Sequence, residues 1–401
     1  MAVWREMGRS LGRVWKGGVL RGLQTACRVA VAIRPLPRVE GKPPVPRSVV
    51  VFSTAGIGDT LSDTPAIRAL RESFPDCRIT AVVHRRRRAV LEGNPCIDRL
   101  VPHAKGPVRF WRTLRAIRQG RPDTAVTLRA NDHDPDVWPL AYLSGARVIA
   151  SRPAMTRFPF LVNLPVAVPD WVDRPGVEQT LEIVRALGAD TVDPRMDFVV
   201  PEAARRRVDE ILREHQLAGR PLVAMQVHVS PRLAFRDWPA AYFAALGRRI
   251  LEAFPVRLAI TGGREDVAAA AAVGRELGAG ATVLAGRLSL PETAALLTRC
   301  RLLITTDTGI MHLGFAVRAP TLALLHPYNA HRVGPHGYGG LHRVALLDPS
   351  LWAGEDPPRV GLDRLTPEAV WPVLRAFWQD TDASRAVEPP PAGRAETEAG
   401  E

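Results

Sequence analysis

Three stretches carry side chains whose types and spacing could do chemistry. Thr306-Asp307-Thr308-Gly309, with His312 four residues after Thr308, sets a carboxylate, a hydroxyl and an imidazole beside the start of an expected helix. A helix start presents backbone N–H groups without intrahelical partners, a setting for an anion such as a diphosphate. Residues four apart face the same way one turn along, so Thr308 and His312 can serve one site. Taken alone, the run also reads as a plain helix cap by Asp307 or Thr308. The second stretch, Gly56-Ile57-Gly58-Asp59, follows the apolar run SVVVFS. Its two glycines would let the backbone turn tightly and a ligand come close. Asp59 would sit at the carboxyl end of a strand, where ligands bind in open α/β sheets. The third, Gly262-Gly263-Arg264-Glu265-Asp266, also follows an expected strand and opens a helix.

Other chemistries find less support. The Gly56 turn lacks the third glycine and the later acid of the dinucleotide fingerprint, and no Gly-Lys-Ser/Thr of a phosphate loop occurs. His331, His336 and His342 are not at the spacing of a zinc site, and a polar loop is expected to carry them together with Arg332 and Tyr338. The acidic run Asn131–Asp136 lacks the glycine and terminal glutamate of an EF-hand. No metal and no cofactor are therefore expected. The four cysteines, Cys27, Cys77, Cys96 and Cys300, form neither a C-x-x-C pair nor a disulfide framework, which fits a reducing, cytoplasmic setting.

These residues need elements to position them. Short apolar strands alternate with amphipathic helices twice over. In the first half, strands are expected at Ser48–Ser53, Ile79–Val83, Leu100-Val101, Thr124–Leu128 and Val148-Ile149, with helices at Ala66–Arg71, Arg109–Gln119 and Val177–Leu187. In the second, strands at Leu222–Val227, Arg257–Thr261, Thr282–Leu284, Leu302–Thr305 and Thr321–Leu325 alternate with helices at Ala203–His215, Ala240–Ala253 and Leu290–Thr298, before a final helix at Pro367–Phe377. Such alternation predicts an α/β protein of two doubly wound, Rossmann-like domains facing a cleft, over 47–200 and 201–380. With 401 residues, two domains are also the natural expectation. Residues 381–401, rich in Pro, Ala and Glu, are expected to be a disordered tail.

The net charge of +13 is concentrated at one end. Residues 1–47 hold ten Lys and Arg against two Glu. Over 3–16, Trp4 and Trp15 with Val3, Met7, Leu11 and Val14 fall on one helical arc, and Arg5, Arg9, Arg13 and Lys16 on the other. That pattern suits a helix lying on a membrane surface, with a Pro-rich linker completing a basic extension over 1–46. No apolar run is long enough for a transmembrane helix. Nucleic acid is not expected as a partner, because the positive charge is not interleaved with aromatic residues on a binding surface.

In their order and spacing, several runs together resemble the ADP-heptose:lipopolysaccharide heptosyltransferase family, glycosyltransferase family 9. They are GIGDTLSDTPAIRALRESFPDCRITAVV, NPCIDRLV, YLSGARVIAS, RDWPAAYFAAL, TGGRED, GRLSLPETAALLTRCRLLITTDTGIMHLGFAVRAPTLALLHP and RVGPHG, spread over Arg47–Val344. The resemblance implies the GT-B fold and an inverting transfer of heptose, or a related sugar, from a nucleotide-diphospho-sugar such as ADP-heptose to a lipopolysaccharide core or similar glycan. It implies a cytoplasmic enzyme on the inner face of the cytoplasmic membrane. It assigns Asp59 as general base, with Gly56 and Gly58 forming the turn near the acceptor. Donor contacts fall on Arg236, Asp266, Asp307, Thr308, Gly309 and His312. Arg236 stands where the family has lysine, and His228 stands in a place the family fills with glycine. The alternatives are a transferase of another nucleotide sugar or a catalytically silent, membrane-tethered member.

Overall fold

A computed structural model describes residues 20–129, 135–167, 173–217, 219–228, 236–351 and 361–387. These fall into two compact units. Unit 1 holds the chain up to Arg205 with Leu290–Ala294 and His331–Gly337; unit 2 holds the remainder. The segment 3–16, the acidic residues 131–134 and the end of the chain from 388 lie outside the described residues.

Unit 1 is built on strands β1 (Ser48–Ser53), β2 (Arg78–His84), β3 (Arg99–His103), β4 (Thr124–Thr127), β5 (Val148–Ser151) and β6 (Leu164–Pro165). They form one sheet in the order β3-β2-β1-β4-β5-β6, with every pairing parallel. Parallel strands covered on both faces read as continuous apolar runs, and all six residues of β1 are buried. The helices of the unit are α1 (20–33), α2 (Ile57–Ser62), α3 (Thr64–Ser73), α4 (Pro107–Gln119), α5 (Val137–Leu143) and α6 (Gly176–Arg185).

Helix α1 falls where the sequence led us to expect extension and linker. It is part of the unit 1 core: Cys27 is buried with Leu114, Trp138 and Phe158, and Leu20, Leu23, Ala30 and Val31 pack against that cluster. The Tyr142 hydroxyl lies 2.8 Å from the Ala30 carbonyl and 2.7 Å from that of Arg34, fixing the helix end to α5. Its small and aliphatic residues recur at helical spacing, and the prolines begin only after it, at Pro35.

Unit 2 repeats the plan. After α7 (Glu202–Glu214) come β7 (Leu222–Gln226), α8 (Ala240–Ala253), β8 (Arg257–Thr261), α9 (Val267–Leu277), β9 (Ala281–Val283), α10 (Leu290–Arg299), β10 (Cys300–Thr306), α11 (Gly309–Ala316), β11 (Thr321–Leu325), α12 (Pro327–Val333), β12 (His342–Leu346) and α13 (Pro367–Val387). The strand order is β12-β11-β10-β7-β8-β9, again wholly parallel. Helix α8 shows why it packs as it does: Phe243, Leu246, Gly247 and Ile250 fall at i, i+3, i+4 and i+7 on one face and are all buried. Helix α13 runs ten residues past its expected end, through part of the segment expected as disordered tail.

Of the residues expected in one loop after β11, His331 and Arg332 lie in α12 and His342 in β12, while His336 and Tyr338 lie in the connection between those elements. His342 belongs to β12 and is buried against Phe315 and Tyr338. Burial pushes its pKa down to about 3, which keeps it neutral. His336 meets Glu178 of α6 within unit 1, Nε2 to Oε1 3.1 Å.

Candidate active site

In each sheet the first strand of the unit has neighbours reached by crossovers running in opposite directions. That switch point lies between β1 and β4 in unit 1, and between β7 and β10 in unit 2. Ligands of open α/β sheets bind outside the carboxyl ends of the strands at such a point.

At the unit 1 switch point the chain leaves β1 and enters α2 at once. The helix starts at Ile57, earlier than expected, so Asp59 lies in its first turn rather than in a loop. Its carboxylate turns back onto the chain, where Gly56 N–H donates to Oδ2 at 3.2 Å. An acid in the first helical turn also meets the positive end of the helix dipole. Gly56 has φ −63°, so the turn does not require glycine. Clearance favours it instead: a Cβ there would lie 3.1 Å from Asp59 Oδ2. Gly58 lies inside α2 and its carbonyl accepts from Ser62 Oγ.

Arg129, two residues beyond β4, reaches the same place. Its Nη1 lies 3.3 Å from Asp59 Oδ1, and its Nε lies 3.0 Å from Asp63 Oδ1. Asp63 sits at the joint of α2 and α3, fully buried, and accepts from Ser53 Oγ at 2.5 Å. Burial raises the Asp63 pKa to about 6, against the lowering effects of Arg129 and Ser53. Burial works against the Arg129 charge as well, but the two carboxylates outweigh it and its pKa is raised.

At the unit 2 switch point, β10 delivers Asp307 and Thr308 to the start of α11. Thr308 caps that helix, its hydroxyl accepting from Met311 N–H at 3.4 Å, and Gly309 is the first helical residue. Asp307 Oδ2 is held twice, by Arg236 Nη1 at 2.9 Å and by Asn329 Nδ2 at 2.6 Å. Arg236 itself is steadied two residues on. The Trp238 indole is buried, donates to the Leu365 carbonyl at 2.6 Å and packs edge-on to Phe243. His312 is buried in α11, edge-on to Phe315.

The end of β8 adds a second acid. Asp266 is buried and accepts from Gly263 N–H at 2.7 Å. The backbone comes so close that a Cβ on Gly262 would lie 2.8 Å from Asp266 Cβ and 2.9 Å from the Val227 carbonyl. His228, at the end of the β7 strand, places Nδ1 3.2 Å from Asp266 Oδ2. With Glu265, these two put three potential ligand atoms within 4.8 Å of one another, a grouping the sequence reading missed.

The structure thus joins Arg236 to Asp307, sets Thr308 and Gly309 at the start of α11 beside them, and places Asp266 with His228. Arg129, Asp63 and Asn329 were missed. Asp63 follows Asp59 by four residues, the spacing of neighbours on one helix face, and Arg129 directly follows an expected strand; both signals were present in the chain.

Part of the chain matches a known family. Residues 146–342 match glycosyltransferase family 9 (heptosyltransferase). Over those residues the chain is similar to this family. It is 26% identical over 293 residues to lipopolysaccharide heptosyltransferase 3 of Escherichia coli, covering 67% of this chain and 80% of the relative. It is 28% identical over 315 residues to lipopolysaccharide heptosyltransferase 1 of Pseudomonas aeruginosa, covering 73% and 82%. In fold it resembles the E. coli ADP-heptose lps heptosyltransferase II, with a TM-score of 0.67 at 19% identity, covering 84% of this chain and 99% of that one. The chain is a glycosyltransferase with a GT-B-like pair of parallel sheets. Its matched segment begins just before β5 and ends at the first residue of β12, so Asp59, Asp63 and Arg129 all precede it.

Proposed function

We propose that this chain transfers heptose, with inversion, from ADP-heptose or a close nucleotide sugar to a lipopolysaccharide core acceptor. The observation that carries this reading is the pair of charged clusters at the two switch points, in a chain similar to the heptosyltransferase family. Asp59 takes the proton from the acceptor hydroxyl. Arg236 and the N–H groups of Thr308 and Gly309 stabilise the departing diphosphate, Asp307 contacts the sugar with His312 nearby, and Asp266 contacts the nucleotide. These cationic and N–H donors can take up the diphosphate charge without a metal ion. If chelation were to abolish transfer, His228, Glu265 and Asp266 would be the place to look for one.

Among the described residues no helix is long and apolar enough to cross a membrane. The reading places the enzyme on the inner face of the cytoplasmic membrane, held by residues 3–16. Because α1 belongs to the core, the test removes 1–19 only. Flotation with anionic liposomes is expected to fall, and undiminished flotation would refute the anchor.

A thermal-shift screen of nucleotide sugars tests the donor. A ligand at about 100 times its Kd stabilises by about 2.7 kcal/mol, so ADP-heptose is expected to raise Tm by several degrees. A shift with another nucleotide sugar and none with ADP-heptose would replace the donor.

A further inference from the structure

We propose that Arg129 and the buried Asp63 act as a near-neutral clamp that aims the Asp59 carboxylate while leaving it basic enough to take a proton. The proposal rests on the reading of Asp59 as the base and adds two positioning residues to it.

The geometry makes the case. Arg129 arrives from β4 and Asp59 from β1, on the two sides of one switch point. The guanidinium spans both acids, and it also reaches the Asp59 carbonyl at 3.3 Å and the Gly176 carbonyl at 3.4 Å. A planar fork held at several points fixes direction as well as charge. With Gly56 N–H on the other oxygen, the Asp59 carboxylate is gripped at both atoms. Yet its side chain is 49% exposed, against 0% for Asp63, so a substrate hydroxyl can reach it.

Charge sharing explains why two acids are present. An arginine facing Asp59 alone would lower its proton affinity and weaken it as a base. Asp63 takes up much of that positive charge, at the shorter distance and in the drier place. Two carboxylates and one guanidinium leave a net charge of −1, and the exposed partner is Asp59. In the transfer, the acceptor O–H proton passes to Asp59. The oxygen's electron pair forms the bond to the anomeric carbon, and the pair of the broken C–O bond leaves with the diphosphate. Asp59 then returns its proton to water.

The other charged groups on the elements packed against α2 pair elsewhere or, like Glu72 of α3, are exposed. On α3, Arg68 pairs with Asp193 and Asp197, and Arg71 with Asp98. On α6, Glu178 and Glu182 pair with Arg185. In the 3-10 turn Arg85–Val90, Arg88 pairs with Glu92 and Arg87 donates to the Thr54 carbonyl, while Arg85 and Arg86 are exposed.

The test is a pH–rate profile for transfer from ADP-heptose to lipopolysaccharide of a heptose-deficient strain. Arg129→Met sets two acids against each other. Its kcat is expected to fall about tenfold or more, with the acid limb moved up by about one pH unit and donor KM within about twofold. Asp63→Asn leaves the whole guanidinium charge on Asp59 and is expected to move the limb the other way. Arg129→Lys, which keeps the charge but not the fork, is expected to hold the limb and recover only part of kcat. Limbs that stay put, or move in the same direction in both variants, overturn the clamp. If Arg129→Met does not fold, the opposite behaviour of Asp63→Asn and Arg129→Lys carries the same test. Asp59→Asn separates the two claims: if it turns over normally, the base assignment fails; if it is inactive while the limbs do not part, only the clamp fails.

Discussion

The two switch points use the same materials in opposite order. In unit 1 the acid comes from the first strand of the sheet and the arginine from its neighbour across the switch; in unit 2 the arginine follows the first strand and the acid follows the neighbour. Both also hold an acid through the N–H of a glycine three residues earlier, Gly56 to Asp59 and Gly263 to Asp266. The difference lies in exposure. In the Arg129 cluster the acid left half exposed is Asp59, at 49%, whereas Asp307 is 7% exposed beneath Arg236 and Asn329. An accessible carboxylate suits proton transfer; a covered one, held by two donors, suits fixed recognition of hydroxyls and organisation of an arginine. One fold plan therefore yields an accessible acid and a covered one from small changes in what surrounds each.

Asp307→Ala leaves Arg236 without its ion pair and removes the carboxylate assigned to the sugar. ADP-heptose affinity by calorimetry is expected to fall about tenfold to a hundredfold, in line with loss of a charged hydrogen-bond partner. Unchanged affinity would place the sugar elsewhere. A smaller effect sharpens the contrast in acid behaviour. Glu178 is held down to about 2 by the His336 hydrogen bond first and by Arg185 as well, despite its burial. A carboxyl depressed in the fold stabilises it above the unfolded value near 4.5, and that contribution is lost as pH falls toward about 2. Asp63, raised to about 6, has the reverse sign: its contribution is full below the unfolded value of 3.8 and is lost as pH rises through about 6. Glu178→Gln is thus expected to lower Tm by roughly 2–4 °C at neutral pH, with the gap closing in acid. A gap that persists in acid would mean the residue acts by packing alone.

The alternation of apolar strands and amphipathic helices made both sheets legible, because a parallel strand covered on both faces leaves a run such as SVVVFS that little else produces. The acids and the arginine of the Asp307 cluster were legible through motif order. Arg129, Asp63 and Asn329 were harder, since their roles come from strands and helices distant in sequence that meet only in the folded sheet. Asp63 stands 66 residues before its partner Arg129. Helix α1 was hidden by the prolines after it, and the histidines around His342 were hidden by their polarity: burial against Phe315 and Tyr338 cannot be read from a histidine's type.

Asp59 and the cluster around Asp307 are assigned different tasks. Asp59→Asn keeps the size and the hydrogen bond from Gly56 but cannot accept the proton. Its transfer rate from ADP-heptose is expected to fall by about 10²–10⁴-fold, with ADP-heptose affinity by calorimetry unchanged within about twofold. Near-normal turnover, or a loss of donor affinity matching the loss of rate, would contradict that assignment.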